Sequence, residues 1–247
     1  MNRGERISTT TTIIGSSFVI LLLYIGGLIT EDKINYKNTI LNNKKEVFAQ
    51  ENTSPPIVKS SKIIDFSGIN YADVINSSTI NLSSFTVSVW FNTAMNVTGR
   101  DVAFLVNKGG FGSDRPGFNL NYGIWLDNRE KVTGGFETAT GDDYFIKSQA
   151  SYADGVWHSA ILTFDEEQHL MNLYIDGLEA ANNSTNETVT PDNTGKQSVR
   201  LGANSFTDKV KINGNYTGQL DDIQMWNYTF TKEQIANLFD TESKIPR

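Results

Sequence analysis

Phe85-Thr-Val-Ser-Val-Trp-Phe-Asn92 is the stretch that decides the fold. Phe85, Val87, Val89 and Phe91 point one way; Thr86, Ser88, Trp90 and Asn92 point the other. A period of two with one apolar face belongs to a strand that covers one side of a core. Phe118-Asn-Leu-Asn-Tyr-Gly-Ile-Trp-Leu-Asp127 repeats the pattern, with Phe118, Leu120, Tyr122, Ile124 and Leu126 on one face and Asn119, Asn121, Trp125 and Asp127 on the other. Working outward, the spacing predicts strands at 61–66, 102–108, 131–137, 144–150, 156–164, 169–176, 198–203 and 218–226. Asp176-Gly177 is a tight-turn signal after Asn172-Leu-Tyr-Ile175. Many short strands separated by turn residues predict an all-β fold, an antiparallel two-sheet jelly-roll sandwich. One helix is expected near the end. Thr231 caps it, Gln234 completes a capping box, and Ile235, Leu238 and Phe239 form its apolar side.

Before residue 57 the chain reads differently. Ile7 to Thr30 carries no charge between Arg6 and Glu31, and as a helix it spans about 36 Å, enough to cross a bilayer. Arg3 and Arg6 precede it, and Glu31 and Asp32 follow, so the positive-inside rule places everything after it outside the cell. Residues 1–30 are therefore either an uncleaved membrane anchor or a signal peptide whose apolar centre is Phe18–Ile25. Residues 31–56 are a polar linker closed by Pro55-Pro56. Residues 57–247 form the exported domain, on the cell surface or secreted. Sequons beginning at Asn52, Asn76, Asn81, Asn96, Asn182, Asn183, Asn186, Asn215 and Asn227 agree with export. The cluster at Asn182, Asn183 and Asn186 predicts an exposed loop.

Composition narrows the chemistry. The net charge is −7, which argues against a nucleic-acid partner, because such binders carry a basic face. There is no cysteine and there are only two histidines, so thiolate catalysis, disulfides and zinc sites built on sulfur are excluded. Asp165-Glu166-Glu167 is contiguous, so its acids do not share a strand face as paired glycosidase carboxylates do.

Five motifs follow one another in order: Ile64-Asp-Phe-Ser-Gly68, Phe85-Thr-Val-Ser-Val-Trp90, Ala153-Asp-Gly-Val-Trp-His158, Leu173-Tyr-Ile-Asp-Gly177 and Gly218-Gln-Leu-Asp-Asp-Ile223. Their order and spacing resemble the LamG-like jelly-roll domains of the concanavalin A-like lectin/glucanase superfamily, relatives of laminin G and pentraxin domains. The resemblance covers about residues 60–239. It implies two packed antiparallel sheets, one of them curved, with loops at one rim. It also implies a structural calcium held by Asp221 and by backbone near Gly68. Ser67 departs from the Asp or Asn that often precedes that glycine, which weakens the metal at this position.

Residue by residue, Asp221 is in phase with Ile223 and Met225, so its carboxylate needs a partner. Calcium is one, and a hydrogen bond to backbone N–H groups or to a lysine is the other. Asp222, in the opposite phase, is expected to be solvated. Trp125, with Asn121 and Asp127 in phase, forms a candidate glycan platform, since a sugar ring stacks on an aromatic face beside polar groups. The alternative, for Trp90 above all, is that loops or the terminal helix cover the indole. His158, beside Trp157, shares its phase with Ala160, Leu162 and Phe164 and reads as a hydrogen-bonded core histidine rather than a catalytic one. The expected function is an exported, membrane-anchored lectin-like domain that binds a glycan or an extracellular protein without catalysis. A structural or adhesion module of the cell envelope and an unrecognised glycoside hydrolase are the rivals.

Overall fold

The computed structural model describes residues 54–247 apart from 61, 75–77, 98–101, 111–114 and 205–213. Of the first 53 residues it describes only a backbone ladder, Tyr24–Ile25 against Leu28–Ile29. The expected anchor or signal helix, most of the linker, and the sequons at Asn52 and Asn76 lie outside the described residues. Among the described residues no helix is long and apolar enough to cross a membrane.

Among the described residues thirteen strands build the sandwich. They are β1 (Val58–Ser60), β2 (Ile64–Ser67), β3 (Ala72–Val74), β4 (Phe85–Asn92), β5 (Val102–Lys108), β6 (Tyr122–Asp127) and β7 (Lys131–Glu137), then β8 (Asp143–Ser151), β9 (Trp157–Asp165), β10 (Leu170–Ile175), β11 (Leu178–Ser184), β12 (Val199–Leu201) and β13 (Thr217–Trp226). One sheet runs β8-β7-β6-β5-β12-β3; the other runs β11-β10-β9-β4-β13-β1, with β2 also paired to β13. Neighbouring strands are antiparallel in both. The architecture is a jelly-roll-like sandwich.

The alternating faces pack as the sequence pattern requires. Phe85, Val87, Val89 and Phe91 of β4 are fully buried between the sheets. Phe136 lies 4.6 Å from Phe164, and Phe85 lies 5.6 Å from Tyr122, ring centre to ring centre. Each such side chain contributes about 1.5–3 kcal/mol by leaving water. The Tyr122 hydroxyl donates to the Ile80 carbonyl at 3.1 Å, and burial holds its pKa far above the usual range. Between β7 and β8 the backbones pass so closely that a Cβ on Gly135 would stand 2.1 Å from the Tyr144 carbonyl oxygen. Gly135→Ala is therefore expected to destabilise the domain by about 2–3 kcal/mol in urea unfolding; a loss below 0.5 kcal/mol would show that the two strands can part without cost.

Three details depart from the sequence pattern. The stretch expected to begin at Phe118 enters its strand only at Tyr122, because residues before it turn: Phe118 N–H donates to Arg115 O, and Asn121 turns inward. Asn182 and Asn183 lie in edge strand β11 rather than in a loop, although both, and Asn186 beyond the strand, are exposed. Asp222 is not solvated. The β4–β13 ladder shifts register between Asp221 and Gln224, with φ of 43° at Asp222, and the Asp222 carboxylate is buried against Arg247 of the C-terminal tail.

The helix forms as predicted. α1 (Lys232–Glu242) opens on Thr231, whose side chain accepts from Gln234 N–H while the Gln234 side chain accepts from Thr231 N–H. Ile235 and Leu238 seat it on Ile161, Tyr174, Trp226 and Phe230, on the outer face of the seven-stranded sheet. The Thr86 hydroxyl donates to Tyr228 O and accepts from Phe230 N–H, which ties the approach to the helix onto β4.

Candidate functional site

The residues singled out from the sequence separate in space. Trp125 lies on the outer face of the six-stranded sheet, as its phase requires, but only 3% of it is exposed. Its ring is 5.7 Å from Phe104 and 5.0 Å from Phe145, which meets it edge-on. A ring so enclosed offers no face for a sugar. Asn121 is wholly buried; its carbonyl accepts from Leu82 N–H at 3.0 Å and its amide donates to Leu82 O at 2.9 Å, so it fastens the 81–82 turn to the sheet. Asp127 accepts from the backbone N–H groups of Arg129 and Lys131 and shapes the β6–β7 hairpin. The expected platform is not assembled.

The calcium pair is not brought together either. Thr217 pairs with Ser67, beside Gly68, whereas Asp221 pairs with Trp90 four residues further along β13. That separation is about 13 Å along the strand. The Gly68 carbonyl accepts from the Asn215 side-chain amide at 2.7 Å. The Asp221 carboxylate faces the guanidinium of Arg247, with Nε 3.3 Å from Oδ2. Its charge is therefore balanced by arginine, and these residues do not fit a calcium ion. Among the described residues no group of three or more His, Asp or Glu side chains is placed to hold a metal.

What the structure assembles instead is a recess of about 440 Å³ beside the end of α1. Trp90, Trp157, His158, Asp176, Phe239, Ser243, Ile245 and Arg247 line it. The sheet supplies Trp90 from β4 and Trp157 and His158 from the start of β9, where Trp157 pairs with Asn92 and His158 with Phe91. Phe239 comes from α1, and the other residues from the turn after β10 and the tail after α1.

One wall is a knot of charge. Trp90 stacks nearly parallel on Phe239, 5.6 Å between centres and 9° between planes. The Arg247 guanidinium lies 3.8 Å from the Trp90 ring centre on a cation–π contact. Arg247 Nη2 donates to Asp222 Oδ2 at 2.5 Å, and Nη1 donates to the Glu242 carbonyl at 2.9 Å. Trp90 Nε1 donates to Glu242 Oε2 at 2.6 Å, and the Gln224 amide donates to Glu242 Oε1. Two carboxylates thus pair with one guanidinium, and the Glu242 carboxylate is buried nearby on Trp90 and Gln224. Burial, reinforced by Asp222, pushes the Glu242 carboxyl up to about 7, and burial also raises Asp221.

The opposite wall holds His158 between two aspartates. Its Nδ1 is 2.8 Å from Asp176 Oδ2 and its Nε2 is 3.2 Å from Asp154 Oδ1. The hydrogen bond to Asp176 raises the histidine pKa above its ordinary value. Asp176, at φ 51° in the β10–β11 turn, also accepts from Ser159 N–H at 2.9 Å, so the histidine braces the hairpin. Its phase placed it in the core, but it is half-buried and stands at the border of the recess.

Trp157 is the lining residue that the sequence reading passed over. It was visible as the partner of His158, but nothing local says that it stays half-exposed while Trp90 is covered. Arg247 was equally hidden: it meets Trp90 only through the return of the tail.

An antiparallel sandwich with a capped helix across one sheet is the architecture of lectin-like domains. The family profile of the concanavalin A-like lectin/glucanases superfamily matches residues 66–236, and the chain belongs to that superfamily. Among solved structures, the Ruminococcus gnavus IT-sialidase CBM40 aligns with TM-score 0.58 at 14% identity, covering 74% of this chain and 99% of that one. The same module bound to α2,3 sialyllactose gives TM-score 0.60 at 18% identity, covering 74% and 98%. The NanB sialidase from Streptococcus pneumoniae gives 0.59 at 18%, covering 74% of this chain and 28% of the enzyme. Among curated proteins no sequence relative matches.

Proposed function

We propose that this chain is a carbohydrate-binding module, exported and held at the cell surface by its N-terminal segment, that recognises a glycan without chemistry. The observation that carries this reading is the recess beside α1, in which a half-exposed Trp157 stands next to Ser243 and Asp176 on a superfamily fold. An aromatic flank with polar groups at its edge is what a pyranose ring needs, and the volume suits one or two rings. The fold neighbours support it: one is a sialidase CBM40 solved with sialyllactose bound. Binding rather than catalysis is favoured because the acids around the recess are already engaged. Asp176 holds His158, Asp221 and Asp222 hold Arg247, and Glu242 accepts from Trp90 and Gln224. The uncharged stretch Ile7–Thr30 behind Arg3 and Arg6 supports export and anchoring.

The test is a glycan array probed with the full-length chain, in calcium and again in chelator. Binding of equal strength in both buffers is expected, because Asp221 is balanced by Arg247. Binding lost in chelator would restore a calcium site, and silence in both buffers would overturn the glycan reading.

A second reading, an adhesion module that docks on protein, has one observation in its favour. Val156, Leu178 and Ile245 are exposed large apolar side chains; Ile245 lines the recess, and Val156 and Leu178 lie within two residues in sequence of its lining residues Trp157 and Asp176. Capture of a cell-surface protein that is lost in Leu178→Asp, with no signal on the array, would favour it.

A further inference from the structure

We infer that the recess beside α1 selects uncharged saccharides and rejects those that carry a carboxylate. The inference rests on the glycan-binding reading and specifies its ligand class. One acid, Asp176, lines the recess, and four more lie behind its lining: Asp154 on His158, Asp221 and Asp222 on Arg247, and Glu242 on Trp90. The basic groups among them are Arg247 and His158, and both are already paired, although Arg247 Nε makes an ion pair and no hydrogen bond. Arg247 directs Nη1 to the Glu242 and Ile245 carbonyls and Nη2 to Asp222, sets Nε beside Asp221, and lays its flat face on Trp90. Its side chain is 4% exposed, so a ligand meets its edge and not its donors. His158 has one ring nitrogen on Asp176 and the other on Asp154. Lys244, the neighbouring cation on the tail, pairs with Asp240 and is well solvated.

A carboxylate-bearing sugar entering here would lose water without gaining a cation, and would face a net negative wall. Recognition of a planar carboxylate normally uses a free arginine fork, which Arg247 does not offer. The polar groups that remain open carry no positive charge: the second lone pairs of the Asp176 carboxylate, those of the Ser243 hydroxyl, whose proton goes to the Asp240 carbonyl, and the neutral indole N–H of Trp157. Acceptors beside the Trp157 flank and the exposed Ile245 suit a ring with hydroxyl donors on its edge and an apolar face. That is the surface of a neutral hexose.

The experiment uses the full-length chain on a paired array in which each uncharged oligosaccharide is printed beside its sialylated counterpart. The hits are then titrated in solution. The uncharged member is expected to bind at least tenfold tighter than its sialylated partner. Trp157→Ala is expected to lower that binding at least tenfold, and Trp157→Phe to retain part of it if the alanine variant does not fold. Ser243 is exposed, so Ser243→Arg is expected to fold and, by adding a free cation, to narrow or invert the preference. Equal or tighter binding of the sialylated partner by the unaltered chain would overturn the inference and leave the glycan reading standing. Binding of uncharged glycans that Trp157→Ala and Trp157→Phe leave unchanged would do the same, by moving the site elsewhere. No binding to either member of any pair would overturn both.

Discussion

Trp90→Ala is expected to cost about 4 kcal/mol of stability and to release the C-terminal helix from the sheet. The side chain is 4% exposed and does three things at once. Its ring packs flat on Phe239, it carries the Arg247 guanidinium on its other contact, and its N–H supplies Glu242 with a donor. Truncation leaves a cavity under α1, a buried carboxyl short of one hydrogen bond, and an arginine without its aromatic support. Trp90→Phe separates these losses, since it keeps an apolar ring and removes only the N–H; it should cost about 1–2 kcal/mol. Urea unfolding gives the totals, and hydrogen exchange across Lys232–Glu242 reports the release. A Trp90→Ala variant within 1 kcal/mol of the natural chain, with the helix amides still protected, would mean that Ile235 and Leu238 hold the helix unaided.

The same residue marks how far the sequence could be read. Strand β4 was legible because its alternation is local: each side chain's face follows from its neighbours two positions away. The alternative that the terminal helix covers Trp90 was legible too, from a capped amphipathic segment at 231–239. The three-residue strands β1 and β3 were not, because three residues carry no period, and β11 was not, because an edge strand with both faces wet shows no apolar phase. Asn121 looked like a binding group by its phase and is instead a fastener, since the chain turns one residue before the strand begins. Asp222 was misplaced by a register shift, which alternation does not foresee. Asp221 was read correctly as a buried acid in need of a partner, and the backbone alternative holds, since the Asp222 N–H donates to its Oδ1 at 2.8 Å; the partner that balances its charge was out of reach. Arg247 is distant in sequence and arrives by the path of the tail after α1. The fold is written in short-range pattern, whereas the recess is written in contacts between β4, β9, β13 and the tail, and these have no local signal.

Raising the pH from about 5 to 8 is expected to destabilise the domain by about 3 kcal/mol, mostly through Glu242. In the folded chain this carboxyl is lifted to about 7, from 4.5 in the free side chain, because it is buried and has the Asp222 carboxylate nearby, and the Trp90 and Gln224 hydrogen bonds and the Arg247 charge offset this only in part. A group that binds its proton more tightly when folded stabilises the fold fully below its unfolded pKa. That stabilisation is lost as pH rises through the folded value, so the slope lies between about 4.5 and 7 and levels off above. Asp221 and His158 are raised as well and add in the same direction. Glu242→Gln removes the titration while keeping the shape. Its carbonyl can accept from Trp90 and its amide can donate to Gln224, once that side-chain amide turns over. The variant should match the natural chain near pH 5, exceed it near pH 8, and show a flatter profile of melting temperature against pH. Parallel profiles for the two proteins would overturn the assignment, because they would mean that the excess proton of the knot does not reside on Glu242. A steeper profile in the variant would mean that Glu242 binds its proton less tightly in the fold than out of it, which would reverse the assignment. Because the knot forms one wall of the recess, any glycan that binds there should weaken over the same pH interval in the natural chain and hold steady in Glu242→Gln.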